Sequence, residues 1–123
     1  MGWLMGEKDL EKRTFDFAVS VIKFLKKIKY SKENDVVKYQ LAKAATSIGA
    51  NYEEAQGAFS KDDFKYRMMS ICFREAKESN YWLRIIKSAE IFKCEGLETL
   101  IQESGELKNI FGSIMKKIHL RKN

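Results

Sequence analysis

Between Leu41 and Phe59 the apolar and aromatic residues Leu41, Ala45, Ile48, Tyr52, Ala55 and Phe59 recur at alternating intervals of four and three. That spacing collects side chains on one side of an α-helix but scatters them over both faces of a strand, so it predicts a helix packed against other helices. The flanks of this helix are specialised too. Offset by one residue, Ala42, Thr46 and Gly49 form a line of small side chains, continued by Glu53, along which another backbone can approach closely. Offset the other way, Ser47, Asn51 and Glu54 form a polar line whose members are again four and three apart. A helix with one partner needs one apolar side; three specialised sides predict neighbours on more than one.

Nothing in the remaining chain forbids more of the same. None of the 123 residues is proline, so no ring fixes φ or removes a backbone donor, and turns fall to Gly, Ser and Asn. A first helix is predicted from Lys8 to Lys29, with Leu10, Phe17, Val21, Phe24 and Ile28 as its seam. Phe15, Ala18, Ile22 and Leu25 widen that seam, so the helix reads as broadly buried, with Lys12, Arg13, Lys23, Lys26, Lys27 and Lys29 outside. Either Ser31 or Asn34 can cap the second helix. Ser60 followed by Asp63 is a close variant of a capping box, and Phe59 and Phe64 occupy the positions of a hydrophobic staple, which predicts a tight turn between antiparallel helices.

The third helix is predicted from Lys61 to Phe92, with a seam of Phe64, Met68, Ile71, Trp82, Ile85, Ala89 and Phe92 that Glu75 and Glu78 interrupt. Either the helix rolls there so that Cys72, Ala76, Ser79 and Leu83 face inward, or the two acids are partly buried and paired. Gly96 reads as the helix stop. A fourth helix follows from Leu97 to Leu120, with Leu97, Leu100, Ser104, Leu107, Phe111, Ile114 and Ile118 in register and Gly105 and Gly112 sharing another face. The expected architecture is all-α: one domain over residues 1–123, an antiparallel up-down-up-down four-helix bundle, with 1–7 and 120–123 as flexible ends.

Catalytic chemistry finds little footing. Di-iron carboxylate bundles use Glu-x-x-His pairs, whereas Glu54, Glu75 and Glu78 stand in a chain whose single histidine is His119. There is no Gly-x-Ser-x-Gly elbow, Gly-rich phosphate loop or Cys/His pair. Cys72 and Cys94 lack metal-ligand or redox spacing and read as reduced thiols, Cys72 in the core. No catalytic residue, metal or cofactor is expected. Ser47, Asn51, Glu54, Glu75 and Glu78 read instead as a structural polar network fixing register between helices or subunits, because a buried acid must be paired or protonated. No apolar run approaches the roughly 20 residues needed to span a bilayer, and MGWLMGEK lacks the basic-then-apolar order of a secretion signal. A cytoplasmic location without a membrane partner is expected.

The run SIGANYEEA, preceded by QLAKAAT and followed by REAKESNYWL, resembles the bacterial four-helix-bundle family named for proteins encoded in intervening sequences of 23S ribosomal RNA genes. The resemblance spans Leu10 to Ile118, and the family's Ser-Ile-x-x-Asn-x-x-Glu pattern falls on Ser47, Ile48, Asn51 and Glu54. Lys43 stands where the family often has Arg, and Ala55 where it often has Gly. The resemblance implies a rod-like bundle assembled as a ring-like homopentamer with no established enzymatic activity. It also implies a distant architectural kinship with the accessory protein of diversity-generating retroelements, a basic pentamer that binds a reverse transcriptase and nucleic acid.

Charge bears on what such an assembly binds. A net charge of +6 with a pI near 9.3 lies within the range of about 2 to 8 that merely keeps a small domain soluble. Five copies would place about +30 on one body, enough to attract polyanions at low salt. Lys43, Arg67, Arg74, Arg84, Lys116, Lys117, Arg121 and Lys122 are the candidate phosphate contacts, with Tyr66, Tyr81 and Trp82 interleaved as surfaces for unpaired bases. The expected function is a non-enzymatic basic homopentamer binding RNA, DNA or a protein that handles them; the alternative is a purely structural or protein-interaction scaffold.

Overall fold

The computed structural model describes residues 2–57 and 61–122, with side chains over 10–56 and 61–121. Four helices, α1 (Gly2–Leu25), α2 (Lys32–Gly57), α3 (Asp62–Ser88) and α4 (Glu95–Lys122), account for nearly all of them, and no strand occurs among the described residues. Each helix packs on its neighbours in the chain, α4 closes back onto α1, and the diagonal pairs meet only through side chains that reach the centre of the bundle. Contacts run in opposite directions along every pair. Gly49, late in α2, faces Thr14 in α1, while Lys38 Nζ, early in α2, donates to the Ile28 carbonyl at 3.2 Å. Cys72 reaches Ile48, Asn80 reaches Ile101, and Arg13 reaches Glu103. The result is the up-down-up-down bundle that the periodicity predicts.

The seam of α2 enters the core as expected. Leu41, Ala45, Ile48, Tyr52 and Ala55 are buried, and the Tyr52 ring meets Phe111 of α4 edge-on at 5.8 Å. Gly49 provides the close approach that its line of small residues implies, and the backbone that comes near is α1. A Cβ there would stand 3.1 Å from Thr14 Oγ1 and 3.3 Å from Thr14 Cβ, and Thr14 is fully buried.

Elsewhere the structure corrects the sequence reading. The first seam of α1 is buried, but Phe15 and Ile22 on its widened flank are exposed, together with Val19. A corner helix touching only α2 and α4 has no third neighbour to cover that side. The core line of α3 is Met69, Cys72, Ala76, Ser79, Leu83 and Ile86, which is the roll expected as the first of the two arrangements around Glu75 and Glu78; of the apolar seam Met68 is buried, Trp82 and Ile85 are only half-buried and Ala89 is exposed. Small Ala76 and Ser79 let α2 and α4 close over the middle of α3, and Ser79 answers its own burial by donating to the Glu75 carbonyl at 2.8 Å.

The helix ends also differ. Ser31 caps α2, its hydroxyl accepting the Asn34 backbone N–H at 3.0 Å. Lys61 occupies the N-cap of α3 without a side-chain cap bond; Phe59 and Ser60 lie outside the described residues. α3 stops at Ser88 through a Schellman arrangement, Ile91 N–H to Ile86 carbonyl and Glu90 N–H to Lys87 carbonyl. Gly96 is therefore no stop; it lies in the first turn of α4.

The residue in the left-handed position of that motif is Glu90, at φ 56°. A side chain there costs about 1–2 kcal/mol that glycine avoids. Glu90→Gly is expected to raise the melting temperature by about 4 °C in a circular-dichroism melt, since the exposed 3.9 Å pair with Lys93 contributes almost nothing. An unchanged or lower melting temperature would show that the turn carries no such strain.

Candidate nucleic-acid interface

The polar line of α2 meets α3 at one point. The Ser47 hydroxyl is placed to donate either to the Lys43 carbonyl, 2.6 Å away, or to the Glu75 carboxylate, and the Asn51 amide donates to the Ser47 carbonyl at 2.7 Å. Ser47, Asn51 and Glu75 thus come together. Glu54 is exposed and enters no hydrogen bond or ion pair among the described residues, and Glu78, also exposed, accepts the Trp82 indole N–H at 3.4 Å.

Burial, with repulsion from Glu78, holds the Glu75 carboxyl above the usual carboxylate range against the opposing pull of Ser47, Arg74 and Lys43. Its folded pKa exceeds its unfolded one, so folding favours the protonated form and ionised Glu75 costs stability at neutral pH. Glu75→Gln is expected to raise the melting temperature at pH 7, and the gain should vanish as pH falls below the unfolded carboxylate pKa. A loss at pH 7 would mean that the carboxylate is a net support.

Two further cross-links escaped the sequence reading. Asn80 donates from Nδ2 to the Ile101 carbonyl at 3.1 Å and to Ser104 Oγ at 3.0 Å, tying α3 to α4, while its Oδ1 accepts from Arg84 Nε at 2.9 Å. Arg13 is not an outer cation of α1. It is half-buried and grips Glu103 with two bonds of 2.7 Å, with Glu106 alongside. The only hint in sequence was its place beside the seam residues Leu10 and Phe17. The cleft this grip lines, with Asp16, Phe17 and Leu100, has its arginine already committed to carboxylates. Cys72 is fully buried and its thiol is pushed up to about 12 by desolvation, which leaves it unreactive; Cys94 is exposed. No cluster of His, Cys, Asp and Glu suited to a metal occurs among the described residues, and no helix of the described residues is long and apolar enough to cross a membrane.

The basic candidates do not form one patch. Arg67, Arg74 and Arg84 lie on a single outward line of α3. Lys77 and Tyr81 complete it; Lys77 was legible from its spacing of three after Arg74 and seven before Arg84. Lys43 sits across the α2–α3 seam within the field of Glu75. Lys116 and Lys117 are exposed on α4. Arg121 is spent on Asp62, which it holds at 2.8 and 3.3 Å, so it pins the end of α4 to the start of α3. The Lys122 side chain lies outside the described residues. Of the aromatics, Tyr81 is half exposed, Tyr66 is half-buried beside His119, and Trp82 packs against the core.

The described residues therefore form a four-helix bundle whose interior is apolar apart from Thr14, Ser79 and Ser104 and whose charged side chains lie on its outer helix faces. Residues 7–113 match the model of the 23S rRNA-intervening sequence protein family, and the chain belongs to that family. It is similar to a solved structure of a protein of unknown function from the S23 ribosomal protein family of Bacteroides thetaiotaomicron. The two are 31% identical, with a TM-score of 0.77 over 87% of this chain and 98% of the other. No curated protein matches.

Proposed function

We propose that this chain acts without catalysis, as a cytoplasmic basic homo-oligomer, pentameric by family resemblance, that binds RNA or DNA. The observation that carries the reading is the set of exposed cations, Arg67, Arg74, Arg84, Lys116 and Lys117, that form no salt bridge among the described residues. Cations already paired within a fold gain little from a phosphate; unpaired ones release counterions on binding. The net charge of +6 agrees with it. The test is an anisotropy titration of a structured RNA and a matched duplex DNA at low and near-physiological salt. Binding should weaken steeply with salt, by several phosphates' worth of slope. No binding at low salt would sink the reading.

A scaffold role with a protein partner is the second reading, favoured by the exposed apolar line Phe15, Val19 and Ile22 on α1. The titration above separates the two readings, since only the first requires nucleic-acid binding.

A further inference from the structure

We propose that the outward line of α3 formed by Arg67, Arg74, Lys77, Tyr81 and Arg84 is a track for single-stranded nucleic acid, phosphates on the cations and an unpaired base on the Tyr81 ring. The proposal rests on the polyanion reading above and adds the surface and the kind of strand.

The positions 67, 70, 74, 77, 81, 84 and 88 advance by three and four, so they form one ridge along the exposed side of α3. The two remaining members are Ser70 and Ser88, and none is acidic. Arg67 to Arg84 spans about 25 Å at the helical rise. The nearest acids are Asp63, which precedes Arg67 by one turn and is itself engaged, and Glu75 and Glu78, which lie one step round the helix, Glu75 facing Ser47 of α2. Arg74 is near enough to Glu75 to lower its pKa, yet no member of the ridge forms a salt bridge among the described residues. By contrast Lys12, Arg13, Lys87, Lys93 and Arg121 are all paired.

Tyr81 indicates the kind of strand. The residue is 49% exposed within the ridge, the Trp82 ring meets its ring edge-on at 5.2 Å, and the Arg84 guanidinium lies 5.9 Å from its centroid. Asn80 in turn holds Arg84 through the 2.9 Å bond to its Nε. An exposed aromatic ring held beside a guanidinium suits a base that is free to stack, which a duplex does not offer. The competing cluster, Lys23, Lys26, Lys27 and Lys29, lies at the negative end of the α1 dipole, which offsets its charge, and presents ammonium groups rather than planar forks.

The experiment compares three variants of the full chain by anisotropy, using an unstructured oligoribonucleotide, its deoxy counterpart and a duplex of the same length. The ridge variant carries Arg67→Gln, Arg74→Gln, Lys77→Gln and Arg84→Gln. The control carries Lys23→Gln, Lys26→Gln, Lys27→Gln and Lys29→Gln, the same change in net charge. The third is Tyr81→Ala. Circular dichroism verifies that each stays folded. The ridge variant should lower the salt slope for single strands by about 3, at about 0.7 per lost phosphate contact, while the control keeps most of the slope. Tyr81→Ala should weaken single strands about tenfold and leave the duplex unchanged. The ribo and deoxy strands separate an RNA from a DNA ligand. Equal losses in ridge and control variants would overturn the track while the polyanion reading stands. An unaffected Tyr81→Ala would overturn the single-strand assignment. A parent protein that binds none of the three would remove the polyanion reading itself.

Discussion

Gly49→Leu is expected to lower the melting temperature by about 4–8 °C. The α1 and α2 backbones meet where Gly49 faces Thr14, and a Cβ at 3.1 Å from Thr14 Oγ1 is already tighter than ordinary van der Waals contact. Thr14 has nowhere to go, since it is fully buried and its hydroxyl donates to the Glu11 carbonyl at 3.1 Å. A leucine must therefore push the helices apart along a core that includes Leu10, Phe17 and Ile48, at a cost of about 2–3 kcal/mol. Helix propensity offsets only about 1 kcal/mol of that. Thr14→Ala combined with Gly49→Ala should lose less than the two single changes predict, because the 3.1 Å contact exists only when both side chains are present. An unchanged melting temperature in Gly49→Leu would show that this approach is slack.

Phe15→Asp together with Ile22→Asp is expected to reduce the solution mass to that of one 14.3 kDa chain. Phe15, Val19 and Ile22 are four and three apart on the side of α1 that no helix covers, and each is at least 36% exposed. Because the folded monomer already leaves them in water, charging them should change its own stability little. In an assembly each buried aromatic contributes on the order of 150–250 Å² of contact, and an unpaired carboxylate placed there is expensive. Light scattering reads the outcome, with retained helical circular dichroism excluding unfolding. A variant that keeps the oligomeric mass, or a parent that is already monomeric, would contradict self-association through this face.

The fold was legible wherever apolar residues kept a strict three-four rhythm. The seams of α2 and α4 and the first seam of α1 needed nothing more, because periodicity decides which side of a helix is driven from water. The rhythm misled where two apolar lines lay side by side. On α3, Trp82 and Ile85 outweigh Ala76 and Ser79 as hydrophobes, and only the interruption by Glu75 and Glu78 signals the roll that takes the smaller residues inside. On α1, Phe15 and Ile22 were indistinguishable in sequence from core residues; their exposure depends on the absence of a third neighbour. Interhelix polar bonds were the least legible. Arg13 with Glu103 and Asn80 with Ser104 join residues remote in sequence, and no local pattern announces them. Glu54, conspicuous in the motif, makes no hydrogen bond or ion pair among the described residues. The basic residues were found, but only the structure separates Arg121, engaged with Asp62, from the open ridge of α3.

The most direct test of a basic, self-associating, nucleic-acid-binding bundle is sedimentation velocity of the protein with a labelled unstructured oligonucleotide, followed at the label's wavelength at low and near-physiological salt. The label should sediment at low salt with a body several times heavier than one chain, and return to the free rate as salt rises. An oligonucleotide that sediments alone at low salt, beside protein of whatever mass, would contradict the account.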